Sequence, residues 1–86
     1  MNWDELRERE KGREGMRELQ RMAHRICALI LDSEYPDIDI VLERQAMRRR
    51  AEELFPDAMD LYDMIYEARF DRLIQQFRKE LKDRED

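Results

Sequence analysis

Residues 57–82 read DAMDLYDMIYEARFDRLIQQFRKELK, and this stretch decides the fold class. Placed at about 100° per residue, as an α-helix requires, its apolar side chains fall on two sides of one helix. One side carries Tyr62, Tyr66, Phe70, Leu73 and Ile74, and continues through Phe77 to Leu81. The other side carries Ala58, Leu61, Ile65 and Ala68. The pattern predicts a helix over 57–82 in which the first apolar stripe continues to the end.

This predicted helix is too long for a compact chain of its size. At about 1.5 Å per residue it spans roughly 39 Å, whereas a compact domain of this length is roughly 30 Å across. Because the apolar stripe continues to the overshooting end, something must cover it, and a second copy of the chain is the simplest cover. We therefore expect a homodimer. The predicted assembly interface consists of Tyr66, Phe70, Leu73, Phe77 and Leu81.

Two prolines, Pro36 and Pro56, divide the chain into three segments, because proline ends one helix or opens the next. An amphipathic stripe in the first segment predicts a helix over 16–32. The second segment predicts a helix over 37–55, with Asp37 as its N-cap. A short turn at 55–57 makes the second and third helices a helical hairpin against which the first helix packs. The predicted fold class is all-α, a small three-helix domain assembled as a dimeric helical bundle.

Residues 1–15 differ in character from the rest of the chain. Between Leu6 and Met16 there is no apolar residue, and Gly12 and Gly15 each cost a helix about 1 kcal/mol relative to alanine. We therefore expect a charged N-terminal arm or short helix over 1–15, joined at a weak point to a single all-helical domain over 16–86. The alternative is one long helix whose exposed start is held by Glu–Arg pairs three and four residues apart.

Length and composition exclude several classes of protein. With 86 residues the chain allows one domain, and two glycines and two prolines are too few for an all-β fold rich in tight turns. Charged residues make up 45% of the chain, and the net charge is −5. No apolar run resembles a signal peptide or a membrane span, and Cys27 has no second cysteine to bond. These features predict a soluble cytoplasmic protein.

Side chains that could carry out catalysis or hold a metal are few. His24 and Cys27 have the His-x-x-Cys spacing of zinc ligands, and two such pairs across a dimer could supply four. However, Cys27 lies on the edge of the apolar stripe while His24 projects toward solvent. We therefore expect neither a metal nor another cofactor. The chain has one serine, one histidine and one cysteine, and no glycine-rich phosphate loop, so we do not expect an enzyme.

The third predicted helix also carries an acidic ridge, which consists of Asp60, Asp63, Glu67 and Asp71. Such a ridge is commonly a solvated face, and its functional interpretation is a docking surface for a basic partner. Arg44 lies beside the apolar seam of the second helix, where its aliphatic stem should be partly buried. A buried guanidinium needs a carboxylate. We therefore expect Arg44 to form a buried ion pair. Together with one or both of Arg48 and Arg49 it should face Asp63 or Glu67, within a chain or across a dimer.

These observations predict a small non-enzymatic protein-interaction module, an adaptor, regulator or inhibitor that acts through helix packing. The six methionines could form an adaptable groove, but their distribution over several elements favours core positions. The alternative function is a nucleic-acid-binding regulator that uses arginines of the N-terminal arm and of residues 44–50. Three consecutive arginines fan around a helix, however, and residues 37–55 hold four arginines against five acids. Nucleic acid is therefore the less favoured partner, and no membrane partner is expected.

Overall fold

The computed structural model describes residues 3–78, and side chains at residue 9 and residues 12–78. Two long helices come first, α1 over Trp3–Leu31 and α2 over Asp37–Leu54. After a 3-10 turn over Pro56–Ala58, the third helix follows in three parts. These parts are α3 over Met59–Tyr62, a π-helical turn over Asp63–Glu67 and α4 over Ala68–Phe77. The described residues form no strand, and the predicted all-α three-helix fold is confirmed.

The helices pack as the predicted hairpin with α1 laid against it. The main packing partners of α1 are α2 and α4, whereas α3 packs on α2 and on the turns that flank it. One core joins all three helices. Its buried apolar members are Leu19, Ala23, Ile26, Ile30, Ile40, Met47, Ala51, Tyr62, Tyr66, Phe70 and Ile74. Between residues 3 and 78, no helix has the combined length and apolar character that crossing a bilayer requires.

The first helix runs without a break through both glycines, as in the single-helix alternative, and its predicted start near residue 16 is wrong. Gly15 lies against the end of α2, where an added Cβ would be 3.2 Å from the Phe55 ring and 3.3 Å from the Leu54 methyl groups. Its missing side chain lets the two helices approach closely. This tertiary packing outweighs the low helix propensity of glycine. At Gly12 an added Cβ would meet open space.

The π-helical turn has a cause in the spacing of the core residues. Tyr62, Tyr66, Phe70 and Ile74 follow one another at intervals of four. In a regular α-helix a step of four residues turns through about 400°, so such a row drifts by about 40° at each step. A π-helical turn holds more residues than an α-helical turn and offsets this drift. All four side chains can therefore reach the same core.

The ends of the predicted helices differ from the observed ones at two places. Asp37 is the first residue of α2 rather than its N-cap, because Pro36 occupies the cap position, and no side chain caps this end. The third helix ends at Phe77, since Arg78 has non-helical dihedral angles, φ −135° and ψ 75°. The predicted continuation to residue 82 is therefore interrupted, and Leu81 lies outside the described residues.

The molecule is elongated, with principal extents of 52 × 23 × 17 Å. The 29 residues of α1 span about 43 Å at 1.5 Å per residue and account for most of the long axis. The assumed diameter of roughly 30 Å, from which the overshoot of the third helix was inferred, is therefore wrong.

Candidate functional site

An apolar groove opens between the first half of the third helix and α1. It encloses a cavity of about 210 Å³, and its walls are almost free of polar atoms. The groove arises because α1 follows α2 and α4 closely but not α3. The residues that line it are Met16, Leu19, Ala51, Phe55, Ala58, Met59, Leu61, Tyr62, Ile65 and Tyr66. The sequence favours core positions for the methionines over a groove, but Met16 and Met59 line this groove.

The floor and the rim of the apolar groove have different exposures. Its floor is formed by core residues, among them the Tyr62 and Tyr66 rings, whose centroids lie 5.5 Å apart at an interplanar angle of 43°. Its rim is open to solvent at Met16, Leu61 and Ile65. The groove is thus a preformed apolar depression with an aromatic base, and it has room for one or two apolar side chains of a partner.

An exposed apolar face continues from the rim of the groove across the third helix. We define the apolar face as Leu61, Met64, Ile65 and Ala68. Met64 is 73% exposed and Leu61 is 55% exposed, values typical of charged surface residues rather than of apolar ones. Three of these four residues belong to the second apolar side that the sequence pattern indicates. Groove and apolar face together form one contiguous apolar surface.

The predicted assembly interface lies mostly on the opposite, inward side of the same helix. Tyr66 and Phe70 belong to the core of the single chain, and Leu73 packs partly buried against that core. Phe77 is 56% exposed, while Leu81 lies outside the described residues. Because both sides of the helix are apolar, periodicity alone could not assign one side to the core. The signal that could have done so is the strict interval of four from Tyr62 to Ile74.

Arg44 joins α2 to the acidic ridge in a partly buried ion pair. Its guanidinium donates to the Glu67 carboxylate and, at 3.1 Å, to Asp71 Oδ1. It also lies 5.5 Å from the centroid of the Phe70 ring, a cation–π distance. Burial alone would lower the pKa of Arg44, but Glu67 and Asp71 outweigh that effect and raise it. This is the arrangement expected from the sequence, with Asp71 as an additional partner.

Two further members of this network surround Tyr62. Arg48 donates to the Asp63 carboxylate, and its guanidinium lies 5.8 Å from the centroid of the Tyr62 ring. The Tyr62 hydroxyl donates to Glu67 Oε1 at 3.3 Å. Burial raises the pKa of the Tyr62 phenol, and the negative charge of Glu67 raises it further.

The acidic ridge is therefore largely neutralised by arginines of its own chain. Asp63, Glu67 and Asp71 accept hydrogen bonds from α2. Of the four ridge residues, Asp60 alone makes no ion pair with a described side chain. A basic partner would find much less free negative charge here than the sequence suggested.

The run of three arginines in α2 is partly neutralised in the same way. Arg50 donates to Glu18 of α1 and, at 3.0 Å, to Glu53 Oε2. Arg48 is paired with Asp63, as described above. Arg49 is exposed and forms no ion pair with the described side chains. This pairing removes much of the positive charge on which the nucleic-acid alternative depends.

Arg78, which the sequence did not single out, closes the opposite end of the bundle. Its guanidinium donates to the backbone carbonyls of Leu29, Ile30 and Tyr35 at 2.9, 3.0 and 2.8 Å. It also donates to the carbonyl of Asp32 and to the carboxylate of Asp37. One arginine thus satisfies carbonyls at the end of α1 and joins them to the first turn of α2. Its signal was its place four residues after Ile74, in the buried row.

His24 and Cys27 differ in their exposure. His24 is exposed, whereas Cys27 packs half-buried against the core. Burial raises the pKa of the Cys27 thiol, which the positive charge of Arg69 opposes. Within the part of the chain that the structure describes, no three histidine, cysteine or acidic side chains are grouped as metal ligands would be.

No family model, curated protein or solved structure matches this chain. Its surfaces are therefore interpreted from their own chemistry. The apolar groove and the apolar face can bind apolar side chains by burying them, while the ion pairs of Arg44 and Arg48 hold the third helix on α2 beside the groove. The chemistry that this arrangement offers is recognition of another surface.

Proposed function

We propose that this protein is a non-enzymatic protein-interaction module that binds an amphipathic helix of its partner at the apolar groove and apolar face. The observation that carries the proposal is the contiguous exposure of Met16, Leu61, Met64 and Ile65 around a preformed apolar depression. Contiguous exposed apolar patches of this kind mark interaction sites, because a free surface of this composition is costly in water.

A helix is the partner element that suits this site best. A groove between two helices accepts side chains that project from one face of a third helix at intervals of three and four residues. Methionine on the rim adapts to partners of different shape, since its side chain is flexible and polarizable. The proposed role is that of an adaptor, regulator or inhibitor without a cofactor. A cytoplasmic location is part of the proposal and is supported by the free thiol of Cys27.

Site-specific photo-crosslinking tests this proposal. The photoreactive residue p-benzoylphenylalanine is placed at Met64 of the full chain, and the cells that express the protein are irradiated. We expect the photoreactive residue at Met64 to form a crosslink to the partner protein that is bound at the apolar face. The matched control carries the same residue at Arg21, which is also exposed but lies on the side of α1 away from the groove. Equal yields from both positions, or none from Met64, would contradict the proposal.

A further inference from the structure

The exposed side of the third helix, together with the 3-10 turn before it, carries a row of residues whose spacing is symmetric about its midpoint and whose two ends have opposite charges. We define this outer row as Asp57, Asp60, Leu61, Met64, Ile65, Ala68, Arg69 and Arg72. The row begins with two acids, continues with the four residues of the apolar face and ends with two arginines. Its members follow one another at alternating intervals of three residues and one, which is the spacing of one helix face.

Antiparallel packing of two such rows pairs every residue with a suitable partner. When two identical helices cross antiparallel, residues equidistant from the midpoint face each other. With the midpoint between Met64 and Ile65, Met64 faces Ile65 of the other copy and Leu61 faces Ala68. The pairs at the two ends are Asp60 with Arg69 and Asp57 with Arg72. Both ends are then neutralised, and the centre is apolar throughout.

The structure leaves these side chains available for such pairing. All members of the outer row are exposed except Ala68, which is half-buried. None of its four charged residues forms an ion pair with a described side chain. They differ in this respect from Asp63 and Glu67 on the neighbouring side of the helix, which are paired with Arg48 and Arg44. The π-helical turn also counters the drift of the row and keeps its two ends on one side.

We propose that a second copy of this chain occupies the apolar face, with the two third helices antiparallel about a two-fold axis between Met64 and Ile65. Such an interface is isologous, so one surface serves as both partners. Burial of the apolar centre drives association, and the charge pairs fix the register. The interface lies on the side of the helix opposite to Tyr66 and Phe70. This dimer proposal rests on the proposed function, because it identifies the partner helix at the apolar face as the third helix of a second copy.

Molar mass in solution is the first test. Size-exclusion chromatography with light scattering should give twice 10.7 kDa at high concentration for the wild type. Met64→Glu should be monomeric with an unchanged helical circular dichroism spectrum, because Met64 is exposed in the single chain and contributes little to its core. A wild type that stays monomeric, or a dimer that Met64→Glu leaves intact, would show the proposal to be wrong.

A pair of charge reversals tests the register. Asp60→Arg alone places two arginines opposite each other at both ends of the dimer, and Arg69→Asp alone places two acids there. Each variant should therefore dimerise more weakly than the wild type. Mixed together, the two variants should form a heterodimer at wild-type strength, since every reversed charge then meets an opposite one. Failure of the mixture to recover would contradict the antiparallel register.

Disulfide trapping supplies an independent measure of the axis, in a Cys27→Ala background. Met64→Cys lies beside the axis and should link two chains under mild oxidation. Asp57→Cys is the control, because its two copies would lie about 22 Å apart at 1.5 Å per residue, too far for a disulfide. Equal trapping at both positions would contradict the proposed axis.

The outcomes separate this proposal from the proposed function. A monomeric wild type that crosslinks from Met64 to a different protein would refute the second copy as occupant and leave the interaction module intact. A monomeric wild type without any crosslink from Met64 would refute both. A crosslink from Met64 to a second copy of the chain supports both.

Discussion

The Arg78 guanidinium makes more polar contacts than any other described side chain, and all of them go to the end of α1, the loop after it and the start of α2. Backbone carbonyls at the end of α1 have no partner within that helix and need donors from elsewhere. A positive charge at this end also interacts favourably with the helix dipole. Arg78 supplies both effects from a buried position, where hydrogen bonds to a charged group are strongest.

Arg78→Met is expected to lower the free energy of unfolding by about 3 kcal/mol. The methionine fills most of the volume, but it leaves the Ile30 and Tyr35 carbonyls without the guanidinium donor and Asp37 without its counterion. Urea denaturation followed by circular dichroism measures the change. Arg49→Met, an exposed arginine of α2, is the matched control and should change the value by less than about 0.5 kcal/mol. Similar losses in both variants would contradict the role assigned to Arg78.

Tyr62 should make stability depend on pH in the alkaline range. Burial and Glu67 raise the pKa of its phenol in the folded chain, so the unfolded chain ionises first, near the ordinary value of about 10. The free energy of unfolding should therefore fall as the pH rises above about 10. Tyr62→Phe, which cannot ionise, should show a shallower fall in the same urea titrations. Identical slopes for the two proteins would show that the phenol is not perturbed.

Single residues differed in how far sequence could place them. One partner of Arg44, Glu67, could be named in advance, because its position beside an apolar seam demanded a carboxylate and the neighbouring helix carried an acidic ridge. Its second partner, Asp71, was not named. The interval of four after Ile74 was a signal that Arg78 is buried, but its partners could not be named, since they depend on where a distant helix ends. Local sequence contains no information about that location.

Among the helices, α1 offers a direct comparison of its two glycines. Gly12→Ala should stabilise the start of α1 by about 0.5–1 kcal/mol, because alanine has the higher helix propensity and its Cβ meets nothing. Gly15→Ala gains the same propensity, but its Cβ would crowd Leu54 and Phe55. Its net gain should therefore be smaller or negative. Amide hydrogen exchange along α1 measures the first effect, and urea denaturation measures the second.

The existence of the helices was predictable, and their lengths and inward sides were less so. Periodicity predicted helices in the first two segments, and the apolar seam of α2 is buried at Ile40, Met47 and Ala51. The long start of α1 was not predicted, because helix propensity penalises glycine without regard to close packing. On the third helix the sequence could not show which side enters the core. Both sides are apolar, and the π-helical turn departs from the constant 100° per residue that the prediction assumes.

At the scale of the whole molecule, the proposed dimer should respond to salt. The pairs at the ends of the outer row are exposed, so ions screen them, whereas its apolar centre is unaffected by screening. Raising sodium chloride from about 0.05 M to about 0.5 M should weaken dimerisation by a few-fold without abolishing it. Sedimentation equilibrium measures the dissociation constant. A dimer that salt leaves unchanged would show that the charge pairs contribute nothing.

The overall dimensions of the molecule could not be predicted from its composition and length. Estimates of size assume a sphere-like chain, whereas a single 29-residue helix makes this molecule more than twice as long as it is wide. The sequence predicted that the stripe through Tyr66, Phe70 and Phe77 needs a cover from outside the chain. Tyr66 and Phe70 are buried in the core of the single chain, whereas Phe77 is 56% exposed. The outward side of the third helix is exposed as well, at Leu61, Met64 and Ile65.

The contacts of Arg78 also bear on how the chain matures during protein synthesis. The groups that it holds precede it by 41 to 49 residues, so the ribosome has made all three helices before this arginine exists. Until then the Ile30 and Tyr35 carbonyls and the Asp37 carboxylate lack the guanidinium that pairs with them in the finished chain. A chain that is cut before residue 78 would keep the sequences of its helices but lose the Arg78 contacts that join α1 to α2. Proteases that survey incomplete products should therefore distinguish it readily from the finished protein.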